Sequence, residues 1–109
     1  MLETPKAINN VEEIASVPGI DVLLVGTNDL CMEMGIPGEF NRNDVKEAYK
    51  KVIQACNKNN ILPGMGGVYD ETLMHQYIDL GMKFILSGSD LSFLVKGAED
   101  RLNNLKNKG

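Results

Sequence analysis

Asp21-Val22-Leu23-Leu24-Val25-Gly26-Thr27-Asn28-Asp29 decides how the rest of the chain is read. Four consecutive aliphatic residues, closed by a glycine and followed by polar residues, suit a short strand buried on both faces, as in a parallel sheet. Phe84-Ile85-Leu86 before Ser87-Gly88 repeats the pattern. Ile61 to Met65 is a weaker version, because Pro63 has no donor for a ladder. Helical stripes lie between these runs. Val45, Ala48, Tyr49, Val52, Ile53 and Cys56 recur at helical spacing, predicting a helix over 44–58 with Asp44 and Glu47 as a capping box. The Asn57 to Asn60 cluster suits a left-handed helix end. Leu73, Met74, Tyr77 and Ile78 predict a helix over 70–81, capped by Asp70 and stopped at Gly81. Leu91, Leu94, Val95, Ala98, Leu102 and Leu105 predict a last helix that ends in a polar tail.

Working back toward the start, Thr4-Pro5 is a helix-opening pair and Asn10 with Glu13 a second one, so residues 5–16 read as two short helices. Met1 to Glu3 is left as a stub of strand. The order is stub 1–3, helix, strand 22–25, helix, strand 61–65, helix, strand 84–87, helix. Four consecutive βα units make an α/β protein with a parallel sheet. Residues 35–43 form a loop in which Phe40 is expected to be exposed. Neither a linker nor a low-complexity segment divides the chain, so residues 1–109 are taken as one domain. Four units leave two bare edges and one uncovered sheet face, whereas eight would close a barrel of about 250 residues. The pattern is that of the carboxyl half of a (β/α)₈ barrel.

Composition narrows the function. The 109 residues are 43% hydrophobic and 24% charged, which excludes a largely disordered chain. A net charge of −4 with no basic run speaks against nucleic acid or an acidic membrane surface as partner. The apolar runs are too short to span a bilayer. The first residues lack the pattern of a signal peptide. Two distant cysteines, Cys31 and Cys56, exclude a disulfide framework or a cysteine zinc site and point to a reducing cytoplasm. Cys56 lies on an apolar stripe and reads as inert core. Cys31 is expected to be partly exposed, and Met32, Met34, Met65 and Met82 to be packing residues.

Parallel α/β proteins bind ligands at the carboxyl ends of their strands. Glu3-Thr4, Gly26 to Asp29, Gly64 to Gly67 and Ser87 to Asp90 fall there. Glu3 and Asp29 would emerge from neighbouring strands about 5 Å apart and could share a divalent cation through hard oxygen ligands. The plainer alternative is that both carboxylates sit at helix starts as caps. The glycines at 64–67 lack the Lys-Ser/Thr of a phosphate loop and suit a close backbone approach instead. Ser89 or Asp90 reads as the cap of the last helix. His75, the single histidine, lies inside a helix and away from every strand mouth.

Leu2-Glu3-Thr4, Val17 to Leu30 with its Gly26-x-x-Asp29-Leu30 core, Met34-Gly35 and Phe84 to Asp90 together resemble the HpcH/HpaI aldolase/citrate lyase family over the second half of its barrel. The resemblance implies a class II aldolase that cleaves 4-hydroxy-2-oxo acids to pyruvate and an aldehyde through a metal-bound enolate. It implies magnesium, manganese or cobalt on Glu3 and Asp29. It also implies a 2-oxo acid substrate held at Gly26, Asn28 and Asp29 by backbone N–H groups. Thr27-Asn28 replaces the family's usual Pro-Ala, and Cys31 its Ser. The family's enolate-steadying arginine and histidine-based acid/base pair belong to earlier strands and have no counterpart here. Catalytic residues are therefore assigned to none of these positions. Two other readings remain at this level: a non-catalytic half-barrel or flavodoxin-like module binding a small anion, and an assembly-only barrel remnant. The bare edges predict a homo-oligomer, such as two half-barrels face to face, or association with an N-terminal half.

With that acid/base pair absent, the purified chain is expected to show little or no retro-aldol cleavage of a 4-hydroxy-2-oxo acid. Coupled detection of pyruvate checks this. Robust turnover would send attention first to His75.

Overall fold

The computed structural model describes residues 1–107. Its elements in chain order are α1 (Pro5–Asn9), α2 (Val11–Ala15), β1 (Val22–Gly26), α3 (Thr27–Glu33), α4 (Asn43–Lys58), β2 (Leu62–Gly66), α5 (Glu71–Leu80), β3 (Phe84–Ile85) and α6 (Asp90–Lys106). The strands form one parallel sheet in the order β1-β2-β3. The register aligns Val22 with Leu62, Gly26 with Gly66 and Gly64 with Phe84. The stub at the start is a single parallel bridge, Leu2 to Val25, on the free side of β1. The Leu2 N–H donates to the Leu24 carbonyl at 2.7 Å, and the Gly26 N–H to the Leu2 carbonyl at 2.9 Å.

The core lies between the sheet and α4. Each of the six stripe residues predicted for α4 is buried there, with Ala55 in addition. Leu23, Val25 and Met65 meet them from the strands, and Val11 and Ala15 close the cluster from α2. At roughly 1.5–3 kcal/mol for a fully buried Val, Leu, Ile or Met side chain, this layer is the main source of stability. Tyr49 and Tyr77 join α4 to α5, with ring centroids 4.4 Å apart at 51°. Burial raises the Tyr49 hydroxyl well above the ordinary phenol range, pushes Tyr77 up to about 12, and pushes the Cys56 thiol up to about 11.

Pro63 stands inside the central strand, where proline is disfavoured. Donors alternate along a strand, and the Leu62 N–H goes toward β1, to the Asp21 carbonyl at 2.9 Å. The donor that Pro63 lacks would therefore face the β3 side, below the point where β3 begins at Phe84. On that same side the Pro63 carbonyl accepts from the Lys83 N–H at 2.9 Å.

Several details differ from the sequence reading. The interval between β1 and β2 contains an extra helix, α3, starting immediately at the end of β1. Helix α4 begins at Asn43, with Arg42 at its cap and no side-chain capping bond. Asp44 instead pairs with Arg42 at 3.5 Å, and Glu47 with Lys50 at 3.1 Å. Phe40 is half-buried against the core, and its carbonyl accepts from the Tyr77 hydroxyl. Cys31 is fully buried, because it lies on the inward face of α3. Met32, on the opposite side, is 60% exposed and is not part of the core. The fourth strand is only two residues long.

Other expectations hold. The Asp70 carboxylate accepts from the Leu73 N–H at 2.9 Å, α5 is stopped at Gly81, and Asn60 takes a positive φ of 56°. Ser89 and Ser92 cap α6 reciprocally. The polar tail is helical to Lys106, and its last two positions, 108–109, lie outside the described residues.

The face of the sheet opposite α4 is open and apolar. Leu62, Phe84 and Leu86 are each 40–45% exposed. Leu24 and Phe84 close over Gly64, and Leu86 over Gly66. Helix α6 buries none of its residues.

Stability should fall in alkali. Cys56 and Tyr77 hold their protons more tightly folded than unfolded, so their contribution is complete below about pH 9. It is lost as pH rises through about 11 and then about 12. Urea titrations from pH 8 to 11 should show the midpoint decreasing, and Cys56→Ala should flatten the first part of that decrease.

Candidate functional site

Three chain segments end together beyond the carboxyl ends of the strands. The Leu2 bridge delivers Glu3 beside the last residue of β1. A Cβ placed on Gly26 would stand 2.8 Å from Glu3 Cγ and 3.1 Å from Glu3 Oε1. The Glu3 side chain thus lies against bare backbone, in space that any other residue at 26 would occupy. Glu3 is half-buried, and Asp29, in the first turn of α3, is exposed. Among the described residues neither carboxylate has an ion-pair partner or a side-chain hydrogen bond. Neither therefore acts as a side-chain cap. Thr4, not Glu3, caps α1, its Oγ1 accepting from the Ala7 N–H at 3.1 Å.

A hollow of about 210 Å³ opens at this end, lined by Met1, residues Gly26 to Asp29, Gly66, Gly67, Tyr69 and Leu86. Each predicted substrate residue, Gly26, Asn28 and Asp29, borders it. Gly67 has φ +88°, and a Cβ there would press to 3.3 Å on the Asn28 nitrogen. Glycine at 67 therefore leaves room above the first-turn N–H groups of α3, which have no side-chain cap. Such uncapped donors at a helix start suit a carboxylate.

What aims α3 is buried. Thr27, fully enclosed, hydrogen-bonds through Oγ1 with the Tyr49 hydroxyl on α4. The sequence comparison of Thr27 with a proline in the family misses this inward role. It also misses Tyr69, an exposed aromatic placed at the mouth by the short loop between Gly67 and the Asp70 cap. An aromatic two residues after a glycine pair at a strand end was the available signal. His75 is exposed on α5, away from this hollow. Burial, with Glu39 nearby, raises the Cys31 thiol, which makes it a poor nucleophile. Ser87 to Asp90 are not part of the hollow; they lead into α6.

Glu3 and Asp29 are oxygen donors of the type a hard divalent cation takes, and of the two Asp29 lines the hollow. Two carboxylates at adjoining strand ends, in contact with solvent, offer oxygen ligands of the kind magnesium and manganese take while keeping water. Among the described residues no group of three or more His, Cys, Asp and Glu comes together, so an all-protein cage is absent there.

The fold agrees with that of related proteins. The profile of the HpcH/HpaI aldolase/citrate lyase family matches residues 1–97, and the chain belongs to that family. It is 37% identical over 102 residues to a 4-hydroxy-4-methyl-2-oxoglutarate aldolase of Chaetomium globosum, covering 92% of this chain and 38% of the relative. It is 31% identical over 98 residues to a 4-hydroxy-2-oxo-heptane-1,7-dioate aldolase of Escherichia coli, covering 90% and 37%. Among solved structures, an HpcH/HpaI aldolase/citrate lyase family protein from Burkholderia cenocepacia superimposes with TM-score 0.86 at 28% identity, covering 97% of this chain and 41% of that one. The chain thus spans less than half the length of these relatives.

Replacing Thr27 by Val should cost about 1–3 kcal/mol by leaving the Tyr49 hydroxyl buried without a partner. Adding Tyr49→Phe should recover most of that loss, since both polar groups are then gone. Urea midpoints of the single and double variants check this; a Thr27→Val chain as stable as the parent would remove the link between α4 and α3.

Proposed function

We propose that this chain is the carboxyl half of a (β/α)₈ aldolase barrel and carries its cation and 2-oxo acid subsite. The observation that carries the reading is the Glu3 side chain laid against Gly26, with Asp29 at the start of the next helix. Glu3 and Asp29 would hold a magnesium, manganese or cobalt ion. When bound, such an ion supplies charge stabilisation for the electron pair left when the carbon–carbon bond of a 4-hydroxy-2-oxo acid breaks. The chain's own part is positioning. The N–H groups at Asn28 and Asp29 receive the substrate carboxylate, Gly67 leaves room for it above them, and Gly26 borders the same hollow. Asn28 and Tyr69 border the space beside it. The relatives' names support 4-hydroxy-2-oxo acids with a second carboxylate as the substrate class for the whole enzyme. An acid/base pair to move the hydroxyl proton is not among the residues gathered here, so the half is read as a binding half, working in a cytoplasm with reduced Cys31 and Cys56.

Empty, the two carboxylates repel each other, and a shared cation relieves this. Manganese should therefore bind weakly alone and more tightly with oxalate, a pyruvate mimic, because each completes the other's coordination. Calorimetric titration of the parent, Glu3→Gln and Asp29→Asn chains tests this. Both variants are expected to lose the oxalate-dependent gain while melting cooperatively. Unchanged binding in both would overturn the reading and leave a small-anion module in its place.

A further inference from the structure

Helix α3 is seven residues long, too short to hold itself together in water. Its start carries no side-chain cap, so its aim has to come from packing. Thr27, its first residue, is wholly enclosed, while Asp29 is exposed. Two residues are about 200° of rotation around a helix. Turning Thr27 inward therefore turns Asp29 outward, to the hollow it lines. Leu30 and Cys31 fill the rest of the inward side with apolar surface. Apolar contact is non-directional, whereas the hydroxyl bond between Thr27 and Tyr49 has a set geometry and fixes the rotation.

The far end of α3 is tied too. The Leu30 carbonyl accepts from the Met34 N–H at 3.0 Å, and the Cys31 carbonyl from the Ile36 N–H at 2.9 Å, so the chain leaving the helix folds back on it. Ile36 is buried. Four residues later the Phe40 carbonyl accepts from the Tyr77 hydroxyl on α5. Both ties run to one place, because the Tyr77 ring lies against the Tyr49 ring, centroids 4.4 Å apart. Burial above all, with the Cys31 thiol nearby, raises both phenols, so both hydroxyls stay protonated at neutral pH.

We propose that Tyr49 and Tyr77 are positioning residues for the cation site, a stacked pair that clamps α3 at both ends and keeps Asp29 turned toward the Glu3 edge. The assignment rests on the reading of Glu3 and Asp29 as cation ligands. A pair that only stabilised the core would shift the folding equilibrium and leave the affinity of the folded chain alone. A clamp acts on the affinity itself.

Thr27→Val combined with Tyr49→Phe separates the two roles, since it removes the tie without leaving a buried hydroxyl unpaired. Manganese is titrated with and without oxalate on the whole chain, and a urea midpoint is taken for each variant. The double variant should be nearly as stable as the parent yet bind manganese with oxalate about tenfold more weakly. Tyr77→Phe keeps the ring and loses only the tie to Phe40, and should weaken binding by a similar factor. Thr27→Ser keeps the hydroxyl and should bind like the parent. A second readout needs no metal. Alkylation followed by peptide mapping should find Cys31 modified about tenfold faster in Tyr77→Phe than in the parent, with Cys56, on the buried stripe of α4, unchanged. Parent-like affinity in the double variant overturns the assignment, as does a Thr27→Ser chain that binds no better than the double variant. An unchanged Cys31 rate in Tyr77→Phe overturns it as well. A parent without any oxalate-dependent gain removes the cation reading and the assignment together, whereas a gain kept by every variant removes the clamp alone.

Discussion

The packing of α4 across β1 and β2 is the constraint on which the rest depends. Parallel strands cannot be joined by a tight turn, so the chain between them must cross over one face, and here a 16-residue helix does it. Burying Val45, Ala48, Tyr49, Val52, Ile53 and Cys56 against Leu23, Val25 and Met65 fixes the strands in register. That register in turn puts Gly26 beside Gly66, and the strand-end hollow follows from the pairing.

The same helix reaches the site through a second interaction. Tyr49 belongs both to the apolar stripe and, through its hydroxyl, to Thr27 at the first residue of α3. The orientation of Asn28 and Asp29 is thereby tied to the core rather than left to a loop. Functional groups held by packed elements keep their geometry better than groups on free segments. Glu3 has a thinner support, one bridge and two hydrogen bonds, and its place is secured chiefly by the absence of a side chain at Gly26.

Two apolar surfaces are unfinished: the sheet face carrying Leu24, Phe84 and Leu86, and the stripe of α6. They differ in kind. On the proposed half-barrel reading, the first is the face that would line the barrel interior. The second belongs to the outer helical layer. A small domain that buries so little of its apolar surface gains stability from whatever covers it.

Much of this was legible in the chain itself. The stripe of α4, the Asp70 cap, the Gly81 stop and the left-handed Asn60 are local, and each follows from side-chain chemistry at a fixed spacing. Glu3 and Asp29 were legible as strand-end carboxylates for the same reason. Helix α3 was not, because Thr27 to Glu33 is short and its inward residues Thr27, Leu30 and Cys31 mix polar with apolar types. Only the fold decided that Thr27 meets Tyr49, 22 positions away, that Phe40 is half-covered, and that the missing donor of Pro63 faces β3 rather than β1. The fate of α6 shows the division most clearly. Periodicity determined that the helix has an apolar face, but what that face touches depends on where the exit from β3 aims it, and spacing along a chain does not encode that direction.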